Sequence, residues 1–146
     1  MLVEADTETM CSAIRRDFPH REIIACPDPT GRRLQTSSAM NLSDHAILAK
    51  RGFKVRSPKA PWAIRDKVAA VRLMIHDANG HRRLRVDPSC KRVIRSLSNL
   101  EYKPGSSHPD PKSDHSHMAD AVGYACLGIV KGLTPWRIGS SGFRVS

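Results

Sequence analysis

The chain has 146 residues, the length of one domain when domains run ~100–200 residues, and long enough to bury a core without a disulfide or metal staple. Hydrophobic residues at 40% and charged residues at 26% exclude wholesale disorder. Lys and Arg total 24 against 14 Asp and Glu, a net charge of +10, and that surplus points to a polyanionic partner, nucleic acid or an anionic membrane.

In chain order, Leu2–Ala5 reads as a short strand, with no basic region and apolar stretch of a secretory signal. Asp6 or Thr7 caps a helix whose apolar positions are Met10, Ala13 and Ile14, and Pro19 lies past its end. Glu22–Cys26 is a β-branched run closed by Pro27-Asp28-Pro29-Thr30-Gly31, read as a buried strand ending in a turn. Gln35–Ala39 reads as a loop. Asn41 or Ser43 caps a helix through Ala46, Ile47 and Ala49 that Gly52 ends. Phe53-Lys54-Val55 is a short strand. Ile64, Val68, Val71 and Ile75 recur at i, i+4, i+7 and i+11, the apolar stripe of the clearest helix, which Asn79-Gly80 ends. Arg83–Val86 alternates as a half-buried strand, and Asp87-Pro88-Ser89 is read as the cap of a helix through Val93, Ile94, Leu97 and Leu100. Lys103–Ser113 is rich in Pro, Gly and Ser and reads as a mobile loop. The last helix spans about Ser116–Val130, and its charge-free stretch Ala121–Val130 is far short of the ~20 residues of a membrane span. A polar tail, loosely held, occupies 132–146. Helices alternating with strands predict an α/β fold. Cys11, Cys26, Cys90 and Cys126 are scattered without a CxxC, so reduced thiols and a cytosolic setting are expected.

Two acids stand out. Asp28 lies at the C-terminal end of a strand, the edge of an α/β sheet where ligands bind; its plainer reading is a turn residue. Asp120 lies on the last helix with His117 one turn earlier and Tyr124 one turn later, all on one face; its plainer reading is a solvated acid near a helix N-terminus. Carboxylates on neighbouring elements suit Mg²⁺ or Mn²⁺. Two such ions can activate a water and stabilise a leaving oxygen in phosphodiester cleavage. Asp114 and His115 lie just before the last helix. His115 and His117 with Cys26 or Cys90 lack the paired spacing of a zinc site. No GxxxxGK[ST] occurs, so these residues hold no phosphate loop. The basic residues Arg32, Arg33, Lys54, Arg56 and Lys59 gather after Asp28, and Arg82, Arg83, Arg85, Lys91, Arg92 and Arg95 form a second group, both suited to phosphate contacts that read no sequence. Aromatic content of 5% disfavours base stacking, which leaves the duplex backbone as the expected target.

These blocks, from Ile-Ile-Ala-Cys-Pro-Asp28-Pro-Thr-Gly31 through Ser43-Asp44-His45, Gly52-Phe53-Lys54-Val55, Ile64-Arg65-Asp66-Lys67-Val68, Arg83–Pro88 and Tyr102–Gly105 to His117-x-x-Asp120-Ala-x-x-Tyr124, resemble the C-terminal nuclease domain of the large terminase subunit of tailed bacteriophages, over about Leu2–Val130. The resemblance implies a ribonuclease H-like mixed sheet flanked by helices, lacking its first strand or strands, over 1–131. It implies a metal-dependent endonuclease that cuts concatemeric duplex DNA during packaging, in the bacterial host cytoplasm, from a phage or prophage. By resemblance, Asp28 and Asp120 are catalytic metal ligands in a two-ion Mg or Mn site, with His117 as auxiliary ligand and Asp114 as a less certain helper. Partners implied are double-stranded DNA, the portal protein and the small terminase subunit, with no membrane. The family's first acid maps upstream of Met1, and Glu4 and Asp6 do not match it; the alternative reading is therefore a catalytically incomplete DNA-binding remnant of the domain.

Overall fold

The first turn of the chain's first helix is set by Asp6, whose carboxylate accepts the Thr9 N–H at 2.7 Å and caps α1, Thr7–Asp17. A computed structural model describes residues 6–33, 42–106 and 108–133, and the backbone of 144–145. The expectations for Leu2–Ala5, Gln35–Ala39 and an Asn41 cap lie outside these residues. The chain divides into two compact units, 1–61 and 62–146. The architecture is mixed α/β, with five α-helices and four two-residue strands among the described residues.

In the first unit, β1 (Ile24–Ala25) pairs in parallel with β2 (Lys54–Val55), Ile24 opposite Lys54 and Ala25 opposite Val55. Between them run a 3-10 turn, Pro29–Arg32, and α2, Asp44–Lys50, capped by the Ser43 hydroxyl on the Ala46 N–H. Gly52 follows α2 at φ +79, the left-handed turn that a residue without Cβ adopts freely. Cys11, Leu48 and Phe53 form the buried centre, with Ile14, Ile23, Ala25 and Val55 packed on it. The buried face of α1 therefore turns on Cys11 and Ile14, while the expected Met10 is exposed. β1 is shorter than the sequence run, and its residues are half-buried rather than buried. With one parallel neighbour, a strand keeps one edge and part of its faces open. Arg15 ties α1 to the turn after α2, donating to the Gly52 carbonyl at 2.6 Å with its guanidinium 4.8 Å from the Phe53 ring centre.

In the second unit, α3 (Ile64–Ile75) packs on α5 (Ser116–Val130). Ala70, Val71, Met74, Cys126 and Leu127 form the core, joined by Trp62, Leu84, Leu97, Val122 and Ile129. The stripe expected to face the core is displaced: Lys67, Ala70, Val71 and Met74 are buried, whereas Ile64 and Ile75 are exposed. Gly123 decides this. A Cβ there would lie 2.9 Å from Lys67 Cβ, so its absence lets the 67–74 face close on α5. Asp77, not only Asn79-Gly80, ends α3: it accepts the N–H groups of Asn79 and His81, each at 2.9 Å. β3 (Arg85–Val86) pairs in parallel with β4 (Arg144–Val145), so part of the expected loose tail takes part in a strand pair. Asp87 does not cap the next helix. It holds the Ser89 N–H and hydroxyl at 2.9 and 2.7 Å in a turn, and α4 (Lys91–Ser98) starts after Cys90 without a side-chain cap. Ser96, fully buried, donates to the His115 carbonyl at 2.5 Å and ties α4 to the start of α5. The expected loop 103–113 folds back on itself through Lys103 N–H to His108 O and Asp110 N–H to Glu101 O. No helix among the described residues is long and apolar enough to cross a membrane.

Candidate functional site

Asp28 leaves the C-terminal end of β1 and opens the 3-10 turn. Its Oδ1 accepts the Thr30 N–H at 2.7 Å and the Thr30 hydroxyl at 2.6 Å, and its carbonyl accepts the Gly31 N–H at 3.1 Å. The same carbonyl lies 2.9 Å from His45 Nε2, an imidazole that donates to it in the Nε2-protonated tautomer. Gly31 lies against that ring: a Cβ would come within 3.1 Å of it. Asp28 thus has the turn role of its plainer reading, and Pro-Asp-Pro-Thr-Gly is a folded unit braced by α2. The His45 brace was not singled out in the sequence; its signal is the imidazole one residue into a helix whose N-terminus abuts the turn.

Because β1 and β2 are parallel, the segments that leave their C-terminal ends emerge on the same edge. Asp28 leaves β1 there, and Arg56 to Lys59 leave β2 there. Arg32 joins the two, donating to the carbonyls of Ser57 and Lys59, both at 3.1 Å. Arg32 therefore has a structural duty beyond the phosphate contact expected of it. Lys54 pairs with Glu22 at 2.5 Å, both half-exposed. Arg33, Arg56 and Lys59 are exposed on the same unit. The segments that leave this edge thus carry one carboxylate turn and several exposed guanidinium and ammonium groups.

Asp120 and His117 lie in the second unit, on α5 one turn apart. Asp120 is half-buried and its Oδ1 forms an ion pair with Lys67 Nζ. Lys67 is buried, 5% exposed, with its ammonium 4.3 Å from the centre of the Tyr124 ring. Tyr124 is buried and stacks on Trp62 at 5.7 Å between centroids. Lys67 was missed as a functional residue. Its signal was a cation on the same helical face as Val71 and Met74. His117 is exposed, and with Asp120 and Lys67 it lines a groove of about 340 Å³ whose walls include Ile64, Val68 and Leu97. The displaced α3 stripe is one wall of that groove. Asp114 is exposed. His115 gives its carbonyl to Ser96 and its N–H to Ser113, so both of its backbone groups serve the fold.

Among the described residues no three His, Cys, Asp or Glu side chains converge as a metal-holding group. Burial pushes the Cys126 thiol up to about 11 and raises that of Cys26, while Cys11 is buried in the first core. A search of family models, of curated proteins and of solved structures finds no match to the chain.

Proposed function

We propose that the chain acts on duplex DNA as the metal-dependent endonuclease domain of a phage DNA-packaging terminase, with Asp28 and Asp120 as the metal-binding acids and His117 assisting. The observation that carries this reading is the C-terminal edge of the β1–β2 pair, where the segments that leave the two strands carry Asp28 together with Arg32, Arg33, Arg56 and Lys59. Exposed cations of this kind draw in the phosphate backbone without reading bases. Each unit pairs two parallel strands beside helices, which agrees with the α/β class; the single ribonuclease H-like mixed sheet belongs to this proposal.

Carboxylate oxygen is the donor that Mg²⁺ or Mn²⁺ takes, and Asp28 in the first unit and Asp120 in the second each offer one. When bound, such an ion supplies water activation and neutralises charge on the leaving oxygen. This chain's own residues supply the rest. The Thr30 and His45 contacts fix the Asp28 turn, Arg32 holds the basic segment to it, and Lys67 fixes the Asp120 carboxylate.

A second reading, a DNA-binding remnant without cleavage, is favoured by one feature: the Asp28 and Asp120 carboxylates already serve the fold, through Thr30 and Lys67. Plasmid nicking with Mn²⁺ or Mg²⁺ separates the two. The nuclease reading expects nicking that requires metal and falls to background in Asp28→Ala and Asp120→Ala. A folded chain that binds duplex but never nicks overturns it in favour of the remnant.

A further inference from the structure

Ile64 and Ile75 are large aliphatic side chains that remain 42% and 44% exposed, and Tyr102 is 39% exposed. All three border the groove of about 340 Å³ on the second unit. Apolar surface held against water is unfavourable, and a contiguous stretch of it marks a contact site. On α3 the groove wall is the stripe Ile64, Val68, Val71 and Ile75. At ~1.5 Å per residue this stripe runs about 16 Å, some three helical turns. It therefore presents apolar positions at the spacing of another helix's apolar face. The facing wall is apolar too, with Leu97, Leu100, Tyr102 and Pro109.

Charge selects the occupant. The titratable or charged side chains lining the groove are Lys67, Arg72, His117 and Asp120. Lys67 and Asp120 cancel in their ion pair. Arg72 is exposed, forms no ion pair among the described residues, and reaches the Tyr102 hydroxyl only at 3.5 Å. An apolar groove with one uncommitted guanidinium, on a chain of net charge +10, attracts an acidic occupant and repels a basic one. A second copy of this chain fits less well. Antiparallel α3 helices would match Ile64 with Ile75 and Val68 with Val71, but would set Arg65 against Arg72 and bring two strongly basic chains together. We propose that this groove is the docking site for an acidic amphipathic helix of a partner protein: apolar side chains of that helix lie along the α3 stripe, and a flanking Asp or Glu pairs with Arg72. Docking here needs neither metal nor DNA.

Fluorescence anisotropy with labelled helical peptides tests it on the full chain. The probe carries leucine at i, i+4, i+7 and i+11 with glutamate on the flanks. A second peptide has lysine in place of glutamate, and a third is the acidic composition scrambled so that no stripe remains. The acidic stripe peptide is expected to bind about tenfold tighter than the scrambled peptide of equal charge, and to lose about tenfold in Ile64→Ser/Ile75→Ser. Arg72→Glu is expected to reverse the preference, weakening the acidic peptide and strengthening the lysine one. All three substituted side chains are exposed, so the core is untouched, and circular dichroism checks that each variant is folded. Equal binding of the acidic and scrambled peptides overturns the proposal, as does acidic-peptide binding unchanged in Ile64→Ser/Ile75→Ser and in Arg72→Glu. Sedimentation equilibrium is expected to show a monomer; a dimer that dissociates in Ile64→Ser/Ile75→Ser overturns the proposal in favour of a second copy. Nicking is measured without peptide, so its absence overturns the nuclease reading alone, and loss of peptide selectivity overturns this inference alone.

Discussion

Asp77 shows how much one side chain can carry. It is buried, and its carboxylate accepts the N–H groups of Asn79 and His81, approaches the His81 ring at 3.2 Å and pairs with Arg83 at 2.8 Å. The His81 N–H contributes most to holding its pKa below the usual 3.8, against the opposing effect of burial. The folded state therefore binds this proton less readily than the unfolded state. The resulting stabilisation is complete above 3.8 and is lost as pH falls through the folded value. Melting temperature followed from about pH 5 to 2 is expected to fall more steeply for the unsubstituted chain than for Asp77→Asn. Equal slopes would show that Asp77 is not the acid-sensitive group. In the sequence, Asp77-Ala-Asn-Gly80 reads only as a helix end, because the Arg83 partner lies across a turn.

Among the elements, α3 and α5 matter most, since they bring Lys67 to Asp120. Their close approach depends on Gly123. In Gly123→Ala the new methyl meets Lys67 Cβ at 2.9 Å, an atom near the backbone with little freedom to move. Overpacking of this kind costs about 1–3 kcal/mol. Chemical denaturation is expected to show a loss in that range, despite the better intrinsic helix propensity of alanine. A neutral or stabilising result would mean that the helices separate without cost. Periodicity identified α3 and α5 as helices, with α5 bounded as expected at Ser116–Val130. It misplaced the buried face of α3, because the apolar pattern Ile64, Val68, Val71, Ile75 is satisfied equally by a groove wall and by a core. The choice rests on a glycine in another helix, which no local pattern encodes.

For the whole molecule, the +10 charge is the dominant property. On the proposed DNA-binding reading, phosphate contacts release counter-ions, so affinity for duplex is expected to fall as salt rises. Each lysine or arginine that contacts phosphate contributes about 0.9 to the slope of log affinity against log salt. Arg56→Ala and Lys59→Ala together are expected to lower that slope by about 2 and to weaken binding similarly across unrelated sequences. A slope unchanged by the pair would count against this edge as the proposed DNA surface and direct the test to the group that includes Arg92 and Arg95. Lys54 is a poor choice for this test, because its Glu22 partner already offsets its charge.

Composition, charge and short-range pattern determine much of this protein before any folding is considered: helices where apolar residues recur at helical spacing, caps at Asp6 or Thr7 and at Asn41 or Ser43, turns at Gly52 and Asn79-Gly80, and a net positive charge. These depend on neighbours a few residues away, which a linear reading contains. Tertiary structure alone decided that the chain divides at Pro61 into two units, that Arg32 turns inward to two carbonyls, and that Asp120 meets a buried lysine. Each of these is set by a partner distant in sequence, and its free energy comes from packing and desolvation that exist only once the chain has closed on itself.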